Sequence, residues 1–321
     1  MCALAPRQVR TLLVLALVSV GLVTTGAPAS AQPVAIDLCV EAGTLGLPGG
    51  VNANIWGFGR AGLDAGGQPT CAGVAPSVPG PVLDIAQHDA VRVVLHNDLD
   101  EPVVFEAPGL AISEGATTAP AHGTAAYSFA AAAPGTYLYQ STANGGRQLA
   151  MGLYGALLVR SPTVGQAYAS PATAYDREAI LVLSAIDPAF NSDPDGADMY
   201  RYAATYWLIN GKAYPQTDPI NAPAAGTRVL LRYLNAGFDN TTMLLLGMHE
   251  RVVARDAHPL NNPFEASAET IPAGGTEDAI ATVPATGNRF ALYNRQLHLT
   301  NGAAGSPGHT PGGMMTFIQV P

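Results

Sequence analysis

Few residues in the chain are suited to redox or metal chemistry. The 321 residues include seven histidines (His88, His96, His122, His249, His258, His298 and His309) and three cysteines (Cys2, Cys39 and Cys71). Imidazole nitrogen and thiolate sulfur are the donors that copper and zinc take from a protein. The densest grouping in sequence is His249-Glu250 with Asp256 and His258. His298 and His309 flank a Gly-rich stretch that leads to Met314 and Met315. A metal site away from any standard motif would draw on His249, His258, His298 and His309. The competing reading makes them ordinary loop histidines.

Other chemistries lack their motifs. The chain has no Gly-x-Ser-x-Gly elbow, no His-Glu-x-x-His zinc motif and no Gly-x-x-x-x-Gly-Lys phosphate loop, and Lys212 is its only lysine. Asn191-Ser-Asp193-Pro-Asp195-Gly196, with Asp198 nearby, matches the first half of a calcium loop. Its twelfth position is Tyr202 rather than Glu, and Pro194 stiffens it, so it reads as an acidic turn.

The elements that would position these groups are β-strands. Charged residues make up only 12% and apolar residues 48%, which excludes coiled coils and disordered tails. A formal net charge of −9 argues against a nucleic-acid partner, which calls for a basic face. The 35 Gly and 26 Pro punctuate short apolar runs, the composition of a turn-rich all-β globule. The first strand series runs Val82–Ile85, Ala90–His96, Val103–Glu106, Ala125–Phe129, Gly135–Tyr139 and Leu153–Val159. A second begins at Glu178–Ser184 and continues through Tyr206–Asn210, Thr227–Leu234, Thr241–Leu246, Val252–Arg255, Ala279–Val283, Arg289–Tyr293 and Met314–Val320.

The two series echo each other in order. Ala90–Asn97 resembles Gly226–Asn235, Gly135–Tyr139 resembles Asn288–Tyr293, and Met151–Val159 resembles Met314–Val320. Such self-similarity predicts two copies of one β-sandwich, at 32–162 and 176–321, joined by a linker at 163–175.

The N-terminus reads as an export signal. Arg7 and Arg10 precede an uncharged apolar run, Thr11–Val23, and Ala29-Ser30-Ala31 supplies a small-x-small cleavage site. That run is shorter than the ~20 residues a spanning helix needs. Residues 1–31 are therefore expected to be a secretory signal peptide. The mature chain would have no transmembrane segment and would be secreted or held in the cell envelope. It would keep Cys39 and Cys71, which in an exported protein predict a disulfide, the alternative being a thiolate metal ligand.

Several stretches together resemble the multicopper oxidases, a family built from cupredoxin (plastocyanin-like) domains. They are Pro79–Asp84 with Asp89–Asn97, Pro134–Tyr139 with Met151–Val159, Tyr206–Pro215, Arg228–Gly237, Val252–Asp256 and Gly312–Met315. The resemblance covers about residues 79 to 321. It implies two cupredoxin-like Greek-key β-sandwich domains and copper held by imidazoles and one thiolate.

The positions that match the family's copper motifs carry other residues. The His-x-His-Gly stretch reads Glu106-Ala-Pro108-Gly109, and Tyr-His-x-His reads Tyr139-Gln140-Ser-Thr142. The His-Pro-x-His-x-His-Gly stretch reads Thr241-Thr-Met-Leu244-Leu-Leu246-Gly247. The His-Cys-His run reads Asn294-Arg295-Gln296 after Tyr293, which puts a permanent cation at the thiolate position. Met151 and Met314 read as core residues rather than axial ligands.

The expectation is a secreted multicopper-oxidase-like protein that has lost copper and oxidase activity, with no cofactor and a binding or scaffold role. The alternative is a copper-dependent oxidoreductase with a displaced site. Relatives with two such domains also imply a homotrimer.

Overall fold

The structure, a computed structural model, describes residues 33–115 and 118–320. The expected signal peptide, with Cys2, Arg7 and Arg10, lies outside the described residues.

Beside two small two-stranded ribbons, Gly62–Leu63 with Pro69–Thr70 and Thr300–Asn301 with Thr310–Pro311, the strands form two pairs of sheets. In the first half, a five-stranded sheet runs in the order Val51–Arg60, Val34–Leu47, Ala90–Asn97, Thr124–Ala130, Ile112–Gly115. It accompanies a three-stranded sheet of Gly80–Ala86, Tyr154–Arg160 and Gly135–Gln140. The second half has a six-stranded sheet ordered Tyr206–Ile209, Arg177–Ile186, Arg228–Asn235, Thr276–Thr282, Glu250–Arg255, His258–Ala266. Its companion has five strands, Ile220–Asn221, Met315–Gln319, Arg289–Asn294, Thr241–Leu245 and Ala268–Ile271. All belong to one compact unit. Among the described residues, no helix is long and apolar enough to cross a membrane.

The echo seen in the sequence recurs as topology. Val34–Leu47 pairs parallel with Ala90–Asn97, which pairs antiparallel with Thr124–Ala130. In the same relation, Arg177–Ile186 runs parallel to Arg228–Asn235, which pairs antiparallel with Thr276–Thr282. The shorter sheets repeat as well. Tyr154–Arg160 pairs parallel with Gly80–Ala86 and antiparallel with Gly135–Gln140. Met315–Gln319 does the same with Ile220–Asn221 and Arg289–Asn294.

Burial follows the two-residue period of a strand, with both faces covered. In Arg177–Ile186, Leu181 and Leu183 enter the core of the second half. The intervening Val182, with Ile186, enters a separate apolar cluster that joins the halves. Tyr154–Arg160 does likewise, with Leu157 and Val159 in the first core and Tyr154 and Ala156 in the joining cluster. Continuous apolar runs such as Ile180-Leu-Val-Leu183 arise because neither face meets water.

A buried ionic network also links the halves. Arg232 and Asp278 face each other across neighbouring strands, and Arg232 Nη1 lies 3.1 Å from Asp278 Oδ2. Asp278 also accepts from Thr136 Oγ1 at 2.6 Å and Tyr168 Oη at 2.5 Å, and Arg232 Nε pairs with Glu178 at 2.7 Å. Burying such a charge is tolerable because its polar atoms find partners.

One expectation needs correction, and one element had no expectation. Val103–Glu106 is not a strand. Val103 and Glu106 each form only an isolated bridge, to Ala119 and Gln140, between the flanking Pro102 and Pro108. The long hairpin Val34–Leu47/Val51–Arg60 was not predicted. Its turn uses Gly49 and Gly50, both at positive φ, which glycine adopts without a Cβ clash.

Candidate functional site

Cys39 and Cys71 form a disulfide with Cα atoms 5.6 Å apart. They and Glu41 are the only group of three or more potential ligand residues with ligand atoms mutually within 4.8 Å among the described residues. The bond between the two sulfurs removes both thiolates from metal chemistry.

The ten positions that match copper motifs fall into two clusters, with three residues left apart. In the first half, Glu106 and Gln140 exchange backbone hydrogen bonds, Glu106 N to Gln140 O at 2.9 Å and Gln140 N to Glu106 O at 2.8 Å. Thr142 Oγ1 donates to the Glu106 carboxylate at 2.7 Å. Glu106, Gln140 and Thr142 therefore come together. Pro108 instead lines a depression shared with His258.

The second cluster forms where Thr241–Leu245 pairs with Arg289–Asn294. Arg295 N donates to Thr242 O at 2.7 Å, and the Gln296 amide accepts from Thr242 N at 3.1 Å and donates to Asn240 O at 2.6 Å. Thr241 Oγ1 donates to Asp239 O at 3.3 Å. Leu244 faces Tyr293 in the register, Leu246 is exposed, and Arg295 is exposed.

Thr241, Asn294 and Gln296 line a cavity of about 350 Å³ together with Trp207, His298 and Met314. Tyr202, Phe238 and Asp239 also line it. The His298 imidazole stacks on the Trp207 indole, with centroids 4.0 Å apart and planes 12° from parallel. Tyr202 meets Phe238 edge to face at 5.2 Å, and Tyr202 Oη donates to Ala185 O at 2.8 Å.

Three polar atoms in this lining have no partner, Ser184 Oγ, Asn294 Oδ1 and His298 Nδ1. Asn294 is 1% exposed; its Nδ2 lies 4.0 Å from Met314 Sδ, and its Oδ1 makes no hydrogen bond. His298 Nδ1 is likewise buried and unpartnered. An unmade buried hydrogen bond costs roughly 1–3 kcal/mol, so such atoms are the places where a ligand or water gains most. Burial lowers the His298 pKa from its usual value, with Asp239 pulling the other way. The imidazole is accordingly neutral at neutral pH. Asp239 is exposed and is the only formally charged residue in the lining at that pH.

The four histidines of the displaced-site alternative contact four different groups. His249 Nδ1 meets Ser267 Oγ at 2.9 Å, His258 Nδ1 meets Asp256 O at 2.6 Å, and His309 Nδ1 meets Gly302 O at 3.2 Å. His298 is stacked on Trp207. The acidic turn is spent on local structure. Asn191 is buried and donates to Asn54 O, Asp193 accepts from Gly196 N, Asp195 pairs with Arg147 and Asp198 caps a short 3-10 turn.

Sequence reasoning met Tyr202 only as the twelfth position of the acidic turn and passed over Phe238 and Asp239. A signal was present. Asn235-Ala-Gly-Phe-Asp-Asn240 is a polar turn that immediately precedes Thr241.

Residues 60–164 match a family model described as multicopper oxidase. No curated protein matches the sequence. The structure is similar to the blue copper oxidase from Nitrosomonas europaea, with a TM-score of 0.75 and 22% identity over 90% of this chain and 86% of that one. It is similar to the multicopper oxidase mgLAC to the same coverage, with a TM-score of 0.74 and 22% identity. A third likeness is to the copper nitrite reductase from Nitrosomonas europaea, with a TM-score of 0.69 and 19% identity over 90% of this chain and 94% of that one. At these identities the solved structures speak for the fold.

Proposed function

We propose that this chain, a multicopper-oxidase-like protein with the family's domain at residues 60–164, has given up copper and oxidase chemistry and acts as an exported binding protein. The observation that carries the reading is what the motif-matching residues do. Thr142 donates to Glu106, and both faces of the Gln296 amide are bonded to Asn240 and Thr242. Leu244 and Leu246 have no donor atom, and Arg295 repels a cation. Copper asks for neutral imidazoles and a thiolate, and this set offers neither. The residues therefore do not fit a copper centre, and no reaction step is derived through one.

A binding role is supported by the cavity beside Thr241, Asn294 and Gln296, which keeps a lined volume where the family motif would place metal ligands. Export is supported by the signal-like N-terminus and the Cys39–Cys71 disulfide, which an oxidising compartment maintains. A homotrimer follows from the family resemblance, and light scattering at three times the mature chain mass tests it. Copper reconstitution followed by metal analysis tests the loss of copper.

A further inference from the structure

We infer that the cavity at Asn294, His298 and Trp207 is a binding site for a small organic cation that donates N–H hydrogen bonds, an amidinium or a primary ammonium on a compact apolar body. The inference rests on the copper-free reading above, because it places an organic ligand beside positions that would otherwise hold metal ligands.

Three features set the ligand's chemistry. The first is size. About 350 Å³ lies within the ~300–1,000 Å³ range of small-ligand pockets.

The second is the pattern of unmade bonds. Asn294 Oδ1 is a buried acceptor that requires an incoming donor. Its own Nδ2 is turned to the Met314 sulfur, so the carbonyl oxygen is the end left free. His298 Nδ1 is also unpartnered, and a neutral imidazole accepts at one ring nitrogen. A ligand N–H would supply the donor that Asn294 Oδ1 lacks, and a second would serve His298 Nδ1 in its Nε2–H tautomer.

The third is charge. The lining has no Lys or Arg, and Asp239 supplies one negative charge. The Asp239 carboxylate forms no ion pair or hydrogen bond among the described residues. Trp207, Tyr202 and Phe238 contribute aromatic rings, and it is the ring face that attracts a cation. An anion would meet Asp239 with no counter-charge. A neutral amide would keep the N–H bonds and lose the charge.

The test titrates benzamidine, benzamide and benzoate into the full, chelator-treated mature chain at pH 7.5. Calorimetry and Trp fluorescence report binding. Benzamidine should bind at one site and change the Trp207 emission, benzamide should bind about tenfold more weakly, and benzoate should not bind. Asp239→Asn, a change at an exposed carboxylate, should weaken benzamidine about tenfold and leave benzamide unchanged. Asn294→Leu should weaken both. Because that buried substitution threatens folding, its thermal melt is recorded, and Asp239→Asn decides alone if it unfolds. Absence of benzamidine binding, equal binding of benzoate, or an unchanged benzamidine affinity in Asp239→Asn overturns the inference. Copper content is measured on the same preparation. Failed binding in a protein that also takes up no copper removes this inference alone, whereas stoichiometric copper uptake removes the copper-free reading on which it rests.

Discussion

His298 lies flat on Trp207, with ring centroids 4.0 Å apart and planes 12° from parallel. The contact joins a loop histidine to the strand Tyr206–Ile209 and closes one side of the cavity. An imidazolium quenches a stacked indole more than an imidazole does, and burial lowers the pKa of His298. Trp emission should therefore be steady from pH 8 to about the ordinary histidine value of ~6.5 and fall only below it. His298→Gln should remove that step. The sign of the stability effect follows from the lowered pKa. The contribution of neutral His298 is intact above the unfolded-state value and is lost as pH falls through the folded value. Fluorescence-detected urea melts across pH 5 to 8 check both.

A second pH effect has the opposite sign. Glu250 is fully buried, accepts from Tyr233 Oη at 2.8 Å through Oε2, and leaves Oε1 without a partner. Burial pushes its pKa up to about 8, with Glu277 and Glu269 adding to the rise and the Tyr233 hydrogen bond opposing it. Glu277, also buried, is pushed up to about 7 against the pull of Arg255. Protonation of both is favoured in the folded chain, so stability is greatest below the unfolded carboxyl value and declines as pH rises through about 7 and 8. Glu250→Gln keeps the shape and removes the ionisation. It should leave stability near wild type at pH 5 and raise it by roughly 2–4 kcal/mol at pH 9. Denaturant midpoints at the two pH values test this.

The network between the halves should be sensitive to loss of one member. Arg232 is 1% exposed and is held by Glu178 and Asp278. Asp278→Asn leaves that guanidinium short of a counter-charge and should cost about 3–5 kcal/mol. Thr136→Val removes two hydrogen bonds, the one it donates to Asp278 and the one it accepts from Arg232 Nη1, and should cost about 1–3 kcal/mol. If the two half-chains melt together in wild type and separately in Asp278→Asn, calorimetry will resolve two transitions where one stood.

Reduction of Cys39–Cys71 opens a loop with a sequence separation of 32 residues. The chain-entropy model assigns it about 3–4 kcal/mol. A Cys39→Ser, Cys71→Ser double variant should unfold at correspondingly lower denaturant.

Much of this fold was legible in the sequence. Arg228–Asn235 and Tyr154–Arg160 are apolar because both faces are buried, and such runs stand out without any partner information. The long Val34–Leu47 strand did not stand out. Gly43 and Gly46 interrupt its pattern, and a Cβ on Gly43 would meet Pro76 at 2.6 Å, so the glycine answers a neighbour distant in sequence. His258–Ala266 is mostly exposed and polar, so it too lacks a hydrophobic signature. The disulfide was legible as a pair of cysteines behind a signal-like N-terminus. The cavity was not, because it needs Trp207, the Asn294–His298 turn and Met314 from three separated segments. The pairing of Asn294 with Met314 and the stacking of His298 are products of tertiary packing, which no local pattern encodes.

Metal analysis of the mature protein bears most directly on the central claim. The chain is purified, loaded with excess Cu(II) under aerobic conditions, desalted, and its copper measured by mass spectrometry alongside the visible spectrum. The account predicts well under one copper per chain and no blue absorption band of a copper–thiolate centre. One or more tightly held coppers per chain with a blue absorption band would contradict it.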